Sequence, residues 1–404
     1  MPPLLEGLRI VEHTAFIAAP LAGLTLAQLG AEVIRVDPVG GNVDIDRWPL
    51  TAEGRSLYWA GLNKGKRSVE IDTRSAEGRG LLRDLILSAG AFLTNLPVPG
   101  ELGWEALSAA RPDLLMLVLE GSPDGSTAVD YTVNCAAGYP LVTGPATPDA
   151  PVNHVFPAWD AVAGLTLATG LLAAERRRLL TGRGELIRLA LSDAAFAMVG
   201  NLGHLAEVEV NGQDRPALGN DLYGAFGRDF GCAEGRRVMV VAVTRRQWRA
   251  LVQATGTGAE MAEIAAGTGL DLDDEGSRFR LRDRLAAALA PWFAARTLDA
   301  VRAAFAGTAV CWGPYQSFSQ LLREDPRCSE ANPVFARVDH PGIGPHLTPG
   351  TPLRMREAGR VPPAACPRLG QDTAAVLSRD LGLGADRIAS LRAAGIIGTP
   401  DTDP

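Results

Sequence analysis

Aromatic side chains are scarce in this chain, 6% of its 404 residues, and cysteine is scarcer still. The five cysteines, Cys135, Cys232, Cys311, Cys328 and Cys366, are odd in number and widely scattered. That pattern excludes the disulfide framework of a small secreted domain and the closely spaced ligand pairs of a zinc site, so reduced thiols and no metal are expected. Cys135, with no base beside it in VNCAAG, reads as buried filler rather than a nucleophile. No uninterrupted apolar run approaches the roughly 18 residues of a membrane span. The opening MPPLLEGLRIVEHT lacks the basic and apolar regions of a secretory leader, so a cytoplasmic protein with no membrane partner is expected. There is no basic block either: 39 Lys and Arg against 46 Asp and Glu leave a net charge of -7. This excludes nonspecific nucleic-acid binding through a phosphate-neutralising face, and leaves room for a local basic patch facing a phosphorylated small molecule.

Apolar residues at 47% and charged residues at 21% describe a folded globular chain, longer than a single core usually organises. Leu8–His13 reads as a buried strand, Ala18–Leu29 as a helix, and Glu32–Val36 as a second strand ending at Asp37. Further strands are expected at Arg67–Asp72, Ala91–Leu96 and Asp113–Glu120, with a helix over Ala76–Ser88. Strands alternating with helices imply an α/β fold whose large domain is a doubly wound, Rossmann-like parallel sheet. After the glycine-rich stretch Gly219–Gly235 the pattern changes. A strand at Arg237–Val243, helices at Arg246–Thr255, Ser277–Ala295 and Leu298–Phe305, and a strand at Thr308–Trp312 imply a smaller α/β domain. Beyond Asn332 the chain is too punctuated by Pro and Gly for long regular elements. Helices at Thr373–Asp380 and Asp386–Ala394 could then pack back on the first domain. The expected division is 1–205 for the N-terminal part of the large domain, 206–235 for a linker with the glycine-rich loop, 236–330 for the small domain, 331–365 for a second linker, and 366–404 for the C-terminal return. No internal repeat is evident.

A βαβ opening with an acidic residue ending its second strand invites a dinucleotide reading. The first turn, HTAFIAAP over His13–Pro20, has no glycine where a pyrophosphate needs close backbone approach, so NAD is set aside. The carboxylate whose setting points to chemistry is Asp160, between a Pro-Ala-Trp lead-in and an apolar helix expected over Ala161–Leu180, which stops at Thr181-Gly182-Arg183-Gly184. As a helix N-cap it would accept backbone N–H bonds; as a nucleophile it would be held ionised by the helix dipole and attack an acyl carbon. Both roles stay open on spacing alone. Trp159 and Phe156 supply an apolar wall that would keep water from a covalent intermediate.

The stretches LEGLRIVEHTAFIAAPLAGLTLAQLGAEVIRVDP, NKGKRSVEIDTR, FLTNLP, PAWDAVAGLTLATGLLAAERRRLLTGRGELIRLALSDA and PRLGQDTAAVL follow one another over nearly the whole chain. In that order they resemble family III CoA-transferases. The resemblance implies an aspartyl nucleophile at Asp160, a small-molecule acyl-CoA substrate with coenzyme A as part of it rather than a prosthetic group, and an interlocked homodimer. Glu185 stands where the family commonly has Gln, a structural variation. RWPLTAEG, YWAGLNKGKRS, VDYTVN, VNHVFPAWD and LYGAFGRDF resemble the branch that moves CoA between the C1 and C4 carboxyls of one acid, mesaconate. CoA transfer to a separate acid, racemisation of an acyl-CoA, and silent CoA binding are the alternatives. Racemase relatives use a His beside Asp-Ile-Asn-Tyr; here Val129 precedes Asp130-Tyr131, so one of the two bases is missing.

The resemblance also implies CoA contacts from Ile17 and Ala18, from Asp37 near the adenosine, from Ile71 and Arg74, and from Asn95 and Leu96. Among these Arg74 is the phosphate partner, since a guanidinium makes paired charge-assisted bonds. Pro38 occupies a place where some relatives carry a basic residue, which leaves Lys64, Lys66 and Arg67 either as part of that clamp or as a solvated loop. Arg47 and Trp48 read as edges of the acyl site, Arg47 pairing with the free carboxylate of a dicarboxylic acyl group. His154 reads as a structural residue or a ligand of that carboxylate. Tyr223 and Gly224 lie in GNDLYGAFG, where relatives place a glycine-rich loop able to cover the nucleophile.

Overall fold

The computed structural model describes residues 2–144 and 150–398 of the chain. Its largest element grows from six short runs: β1 (Arg9–His13), β2 (Glu32–Asp37), β3 (Arg67–Glu70), β4 (Ala91–Thr94), β5 (Leu115–Glu120) and β6 (Glu185–Ala190). They pair in the order β3-β2-β1-β4-β5-β6, all parallel. A parallel sheet is covered on both faces, which is why its central strands carry Ile10, Val11, Ile34, Phe92, Leu93 and Leu115 in near-continuous buried runs. The doubly wound sheet expected from the alternation of elements is therefore present. Its order reverses between β1 and β4, opening a crevice beyond the C-terminal ends of those strands where such sheets bind ligands.

Two helices frame that crevice. Ala18–Ala27 follows β1 and is buried along most of its length. The helix Ala158–Thr181 packs on it through Gly164, where a Cβ would lie 2.6 Å from the Ala18 carbonyl oxygen and 3.2 Å from the Leu21 Cβ. Only a residue without a side chain permits that approach. The long helix ends as the Thr-Gly-Arg-Gly sequence predicts: Gly182 takes φ 67° and its N–H donates to the Arg178 carbonyl at 2.7 Å.

The C-terminal segment is stapled along β3, with Asp372 accepting from the Ser68 N–H and the Thr373 hydroxyl oxygen accepting from the Glu70 N–H. Helices Thr373–Leu381 and Ala385–Ala393 then bury Val376, Leu377, Ile388 and Leu391 in the same core as Ile34, Val69 and Leu85. Between linker and staple, the Pro/Gly-rich stretch forms a short antiparallel hairpin, Phe335–His340 with Gly344–Pro349. Pro341 and Gly342 form its turn, while Gly344 and Pro345 begin the second strand opposite His340 and Asp339.

By contacts, the chain up to Ala137, His154–Asn211 and the chain from Pro326 onward form one unit, and Gly138–Asn153 with Gly212–Asp325 form the other. The second unit is built on an antiparallel sheet of β7 (Phe226–Gly231), β8 (Arg237–Ala242) and β9 (Cys311–Pro314). The scarce aromatics gather in its core: Phe230 stacks on Phe293 at 4.4 Å, Trp292 on Phe305 at 5.3 Å, and Phe226 meets Trp248 edge-on at 5.5 Å. The single helix expected over Ser277–Ala295 is two, Glu275–Arg280 and Arg282–Ala294. The buried Arg278 donates to the carbonyls of Leu272, Ala242 and Val243, a tether to the sheet that helical periodicity does not register. Cys135 is exposed rather than buried, because the short helix Asp130–Ala136 turns Asp130, Val133 and Asn134 inward instead. Among the described residues no helix is long and apolar enough to cross a membrane, and no group of His, Cys, Asp and Glu could hold a metal ion.

Candidate active site

The chain leaves β1 through Thr14, Ala15, Phe16 and Ile17 before Ala18 begins its helix. Asn95, just past β4, closes on this turn: its amide donates to the Ala15 carbonyl and accepts from the Ala15 N–H, both at 2.8 Å. Phe16 then adopts φ 67°, a left-handed conformation that a residue of its size rarely takes. Asp44 holds it there, accepting the Phe16 N–H at 2.8 and 3.1 Å. Asp44 rests in turn on Arg35 at 3.6 Å. The buried Arg35 also donates to both oxygens of Asp37, to Asn63 and to the Thr14 carbonyl. Lys66 donates to Glu12, Asn63 and the Pro20 carbonyl. A buried ionic floor thus lies beneath the crevice, and its hydrogen bonds fix the strained turn at its mouth.

Asp160 lies in the first turn of the helix Ala158–Thr181, four residues before Gly164 and so on the face that meets Ala18. The helix starts earlier than the expected Ala161, Pro157 takes the N-cap position, and Asp160 is not the cap. The capping carboxylate comes from Asp130, whose Oδ2 accepts the N–H of Trp159 at 2.7 Å and of Asp160 at 3.1 Å. The other oxygen of Asp130 meets His154 Nε2 at 2.6 Å, and Trp159 Nε1 donates to Asn134 at 3.0 Å. With that work done elsewhere, the Asp160 oxygens are left for chemistry. Burial pushes its carboxyl up to about 6, the neighbouring Asp130 charge adds to the rise, and Arg47 opposes it. Desolvation and a like charge raise the carboxyl, and a value of about 6 still leaves it ionised at neutral pH, as expected of a nucleophile. At neutral pH the group is an anion that its surroundings stabilise poorly, which suits a nucleophile.

Arg47 is held between two rings, its guanidinium 5.4 Å from the centre of Phe16 and 4.8 Å from that of Tyr58. Its backbone bonds to Asp44 and Ser56, while its guanidinium makes no ion pair or hydrogen bond with another described residue, so the side-chain donors are uncommitted. Trp48 beside it is 79% exposed. Tyr58 sits on the short helix Leu57–Leu62, whose first turn is capped by Ser56 accepting from the Trp59 N–H. The Tyr58 hydroxyl is buried without a hydrogen-bond partner. Burial, against the opposing charge of Arg47 and with help from Asp44 and Asp160, raises its ionisation well above the ordinary phenol range, so it remains a donor.

The residues expected to touch CoA divide into two sets. Ile17 and Ala18 stand at the mouth of the crevice, and Asn95 and Leu96 follow β4, so the fold brings these four together. Asp37 ends β2 as expected, but it is 1% exposed and both its oxygens are taken by Arg35 and Asn42, which makes it part of the floor. The Ile71 side chain is buried in the core while its N–H donates to the Asp37 carbonyl. Arg74, 89% exposed and paired with Asp72 at 2.7 Å, remains open to an anion. The suggested substitutes for the missing base are corrected. Lys66 is buried on Glu12, Arg67 pairs with Glu32 and Asp372, and Lys64 is buried with its ammonium pushed down to about 8 by desolvation. His154 is committed to Asp130, the structural reading. Tyr223 and Gly224 belong to the second unit, where Tyr223 packs on Phe279 at 5.1 Å under the Arg215 guanidinium and Gly224 turns with φ 82°. Sequence reasoning missed Asp130 as the cap, Asp44 and Tyr58; a carboxylate in VDYTVN was visible, but no local pattern joins it to a helix that begins after His154.

Comparison with known proteins gives this geometry its context. The profile of CoA-transferase family III matches residues 5–373. The chain is 51% identical over 406 residues to the 2-methylfumaryl-CoA isomerase of Chloroflexus aurantiacus, covering 99% of both chains. It is 26% identical to the succinyl-CoA:mesaconate CoA-transferase of Haloarcula hispanica over 96% of this chain and 99% of that one. The crystal structure of a CAIB/BAIF family protein from Brucella suis shares the fold, with a TM-score of 0.78 over 94% of this chain and all of that one at 24% identity. On a match that spans nearly its whole length, this chain belongs to CoA-transferase family III.

Proposed function

We propose that this chain is an intramolecular CoA-transferase that moves CoA from the C1 to the C4 carboxyl of mesaconate, converting 2-methylfumaryl-CoA to 3-methylfumaryl-CoA. The full-length 51% identity to a 2-methylfumaryl-CoA isomerase carries this reading. The uncapped, poorly stabilised carboxylate of Asp160 supports it. An Asp160 oxygen attacks the C1 thioester carbonyl, the carbon–sulfur bond breaks, and CoA leaves as a thiolate while Asp160 and the acyl group form a mixed anhydride. The thiolate attacks the aspartyl carbonyl, forming an aspartyl-CoA thioester and freeing mesaconate. The C4 carboxylate then attacks that thioester, and the expelled thiolate takes the C4 carbonyl, restoring Asp160. One thioester replaces another, so CoA enters only as part of the substrate.

Retaining the acid makes the second half-reaction effectively intramolecular, where well-oriented groups reach effective molarities of up to about 10⁵ to 10⁸ M. Arg47, with its donors uncommitted, receives the free carboxylate, and exposed Trp48 borders it. CoA runs past Ile17, Ala18, Asn95 and Leu96, with Arg74 on a phosphate. The enzyme works as a cytoplasmic homodimer. Helix His204–Asn211 buries none of its residues, and its Leu205 and Val210, with Leu202 just before it and Phe196 on the helix it packs against, lie exposed, an apolar surface that suits a partner subunit.

The test mixes unlabelled 2-methylfumaryl-CoA with isotopically labelled free mesaconate. Isomerisation without label entering the CoA esters is expected; rapid labelling of the ester pool would show an intermolecular transferase instead.

A further inference from the structure

Tyr58 takes no part in the steps above, which rest on Asp160 and Arg47. Its place is fixed by the Ser56 cap and by the next residue, Trp59, which is buried near Arg35 at 5.9 Å. These contacts fix the backbone that carries the ring, and the Arg47 guanidinium stacks on the ring itself at 4.8 Å. Its hydroxyl is shut off from solvent and has no partner. A buried hydroxyl left unpaired is unfavourable, and native proteins keep one where a ligand or an ordered water completes it.

The surroundings narrow the identity of that partner. Asp44 accepts the Phe16 N–H and pairs with Arg35, and the Tyr58 hydroxyl makes no hydrogen bond to it or to any other described residue. The guanidinium stacked on the Tyr58 ring is a donor and cannot accept. Arg47 joins the Tyr58 ring to Phe16, two residues before Ala18, whose carbonyl meets Gly164 one helical turn beyond Asp160, so the phenol stands at the same mouth of the crevice as Asp160. We infer that the Tyr58 hydroxyl donates a hydrogen bond to a carboxylate oxygen of the dicarboxylic acid held beside Asp160, forming a two-point grip with Arg47. The identity of the acid rests on the transferase reading. Arg47 supplies the charge and Tyr58 the direction, a division that suits a planar carboxylate. The grip holds the acid while CoA is carried on Asp160, so that its second carboxylate meets the aspartyl thioester rather than leaving.

Tyr58→Phe keeps the ring, the helix and the Arg47 stack and deletes only the hydroxyl. The ligand-free variant is expected to melt at the same temperature as the parent or higher, because an unpaired buried group has gone. Its isomerisation kcat is expected to fall roughly 10- to 100-fold, the usual worth of a hydrogen bond to a charged group. Exchange with labelled mesaconate should rise as the acid escapes. Parental kcat without added exchange would overturn the inference, as would a clear loss of thermal stability, which would assign the hydroxyl a partner within the protein. If the parent does not isomerise 2-methylfumaryl-CoA, the functional reading fails by itself and Tyr58 is judged by hydroxylamine trapping of Asp160 with succinyl-CoA. Slower trapping in the variant supports the grip; an equal rate overturns it.

Discussion

A carboxylate that attacks a thioester must be ionised and yet reactive, and Asp160 meets both demands through its neighbours. With its carboxyl raised to about 6 by burial and by Asp130, the free enzyme's kcat/KM is expected to fall as pH drops through about 6. The same shift has a consequence for stability. Unfolded, Asp160 titrates near the ordinary 3.8, so between there and about 6 the folded protein holds a proton that the unfolded chain has lost, and stability declines as pH rises. Above that window the ionised group costs about 1–3 kcal/mol. Asp160→Asn should therefore abolish turnover while raising urea stability by that amount at pH 8, with the gain fading toward pH 4. A dead variant that is no more stable than the parent at pH 8 would refute this account of Asp160. At this scale the sequence marked out Asp160 but carried no sign of its raised carboxyl, because burial and the charge of Asp130 come from residues distant in the chain. Asp37 and Lys66 show the reverse error: residue types suited to a ligand are consumed by a buried floor.

Between elements, the position of Asp160 depends on how closely two helices approach. Gly164 allows the contact, and a methyl group there would meet the Ala18 carbonyl at 2.6 Å. Gly164→Ala gains about 1 kcal/mol of helix propensity. It loses about 1–3 kcal/mol to overpacking against a backbone atom that has no rotamer to change. Net destabilisation is expected, with kcat reduced by more than the melting temperature alone suggests, since Asp160 moves with the helix. Thermal melts alongside steady-state rates check it; a stabilised, fully active variant would refute the close contact. The order of strands and helices in the large unit was legible from periodicity, because each buried strand carries its own apolar run. Boundaries set by partners were not. The strand expected over Thr308–Trp312 lies at Cys311–Pro314, where its register against β8 pairs Cys311 with Val241 and Pro314 with Val238.

For the whole molecule, the proposed homodimer is checked by sedimentation of the purified protein. A species of twice the 42.5 kDa chain mass is expected, and a stable monomer would remove the assembly from the proposal. The sequence by itself determined the alternation of elements, the doubly wound sheet and the choice of Asp160, because apolar periodicity and motif spacing are written among neighbours in the chain. Only the tertiary structure decided that Asp130 caps the helix carrying Asp160, that Arg47 stands between Phe16 and Tyr58, and that burial pushes the Asp160 carboxyl up to about 6. Desolvation and charge–charge forces act through distance in space, and the fold sets those distances between residues far apart in sequence.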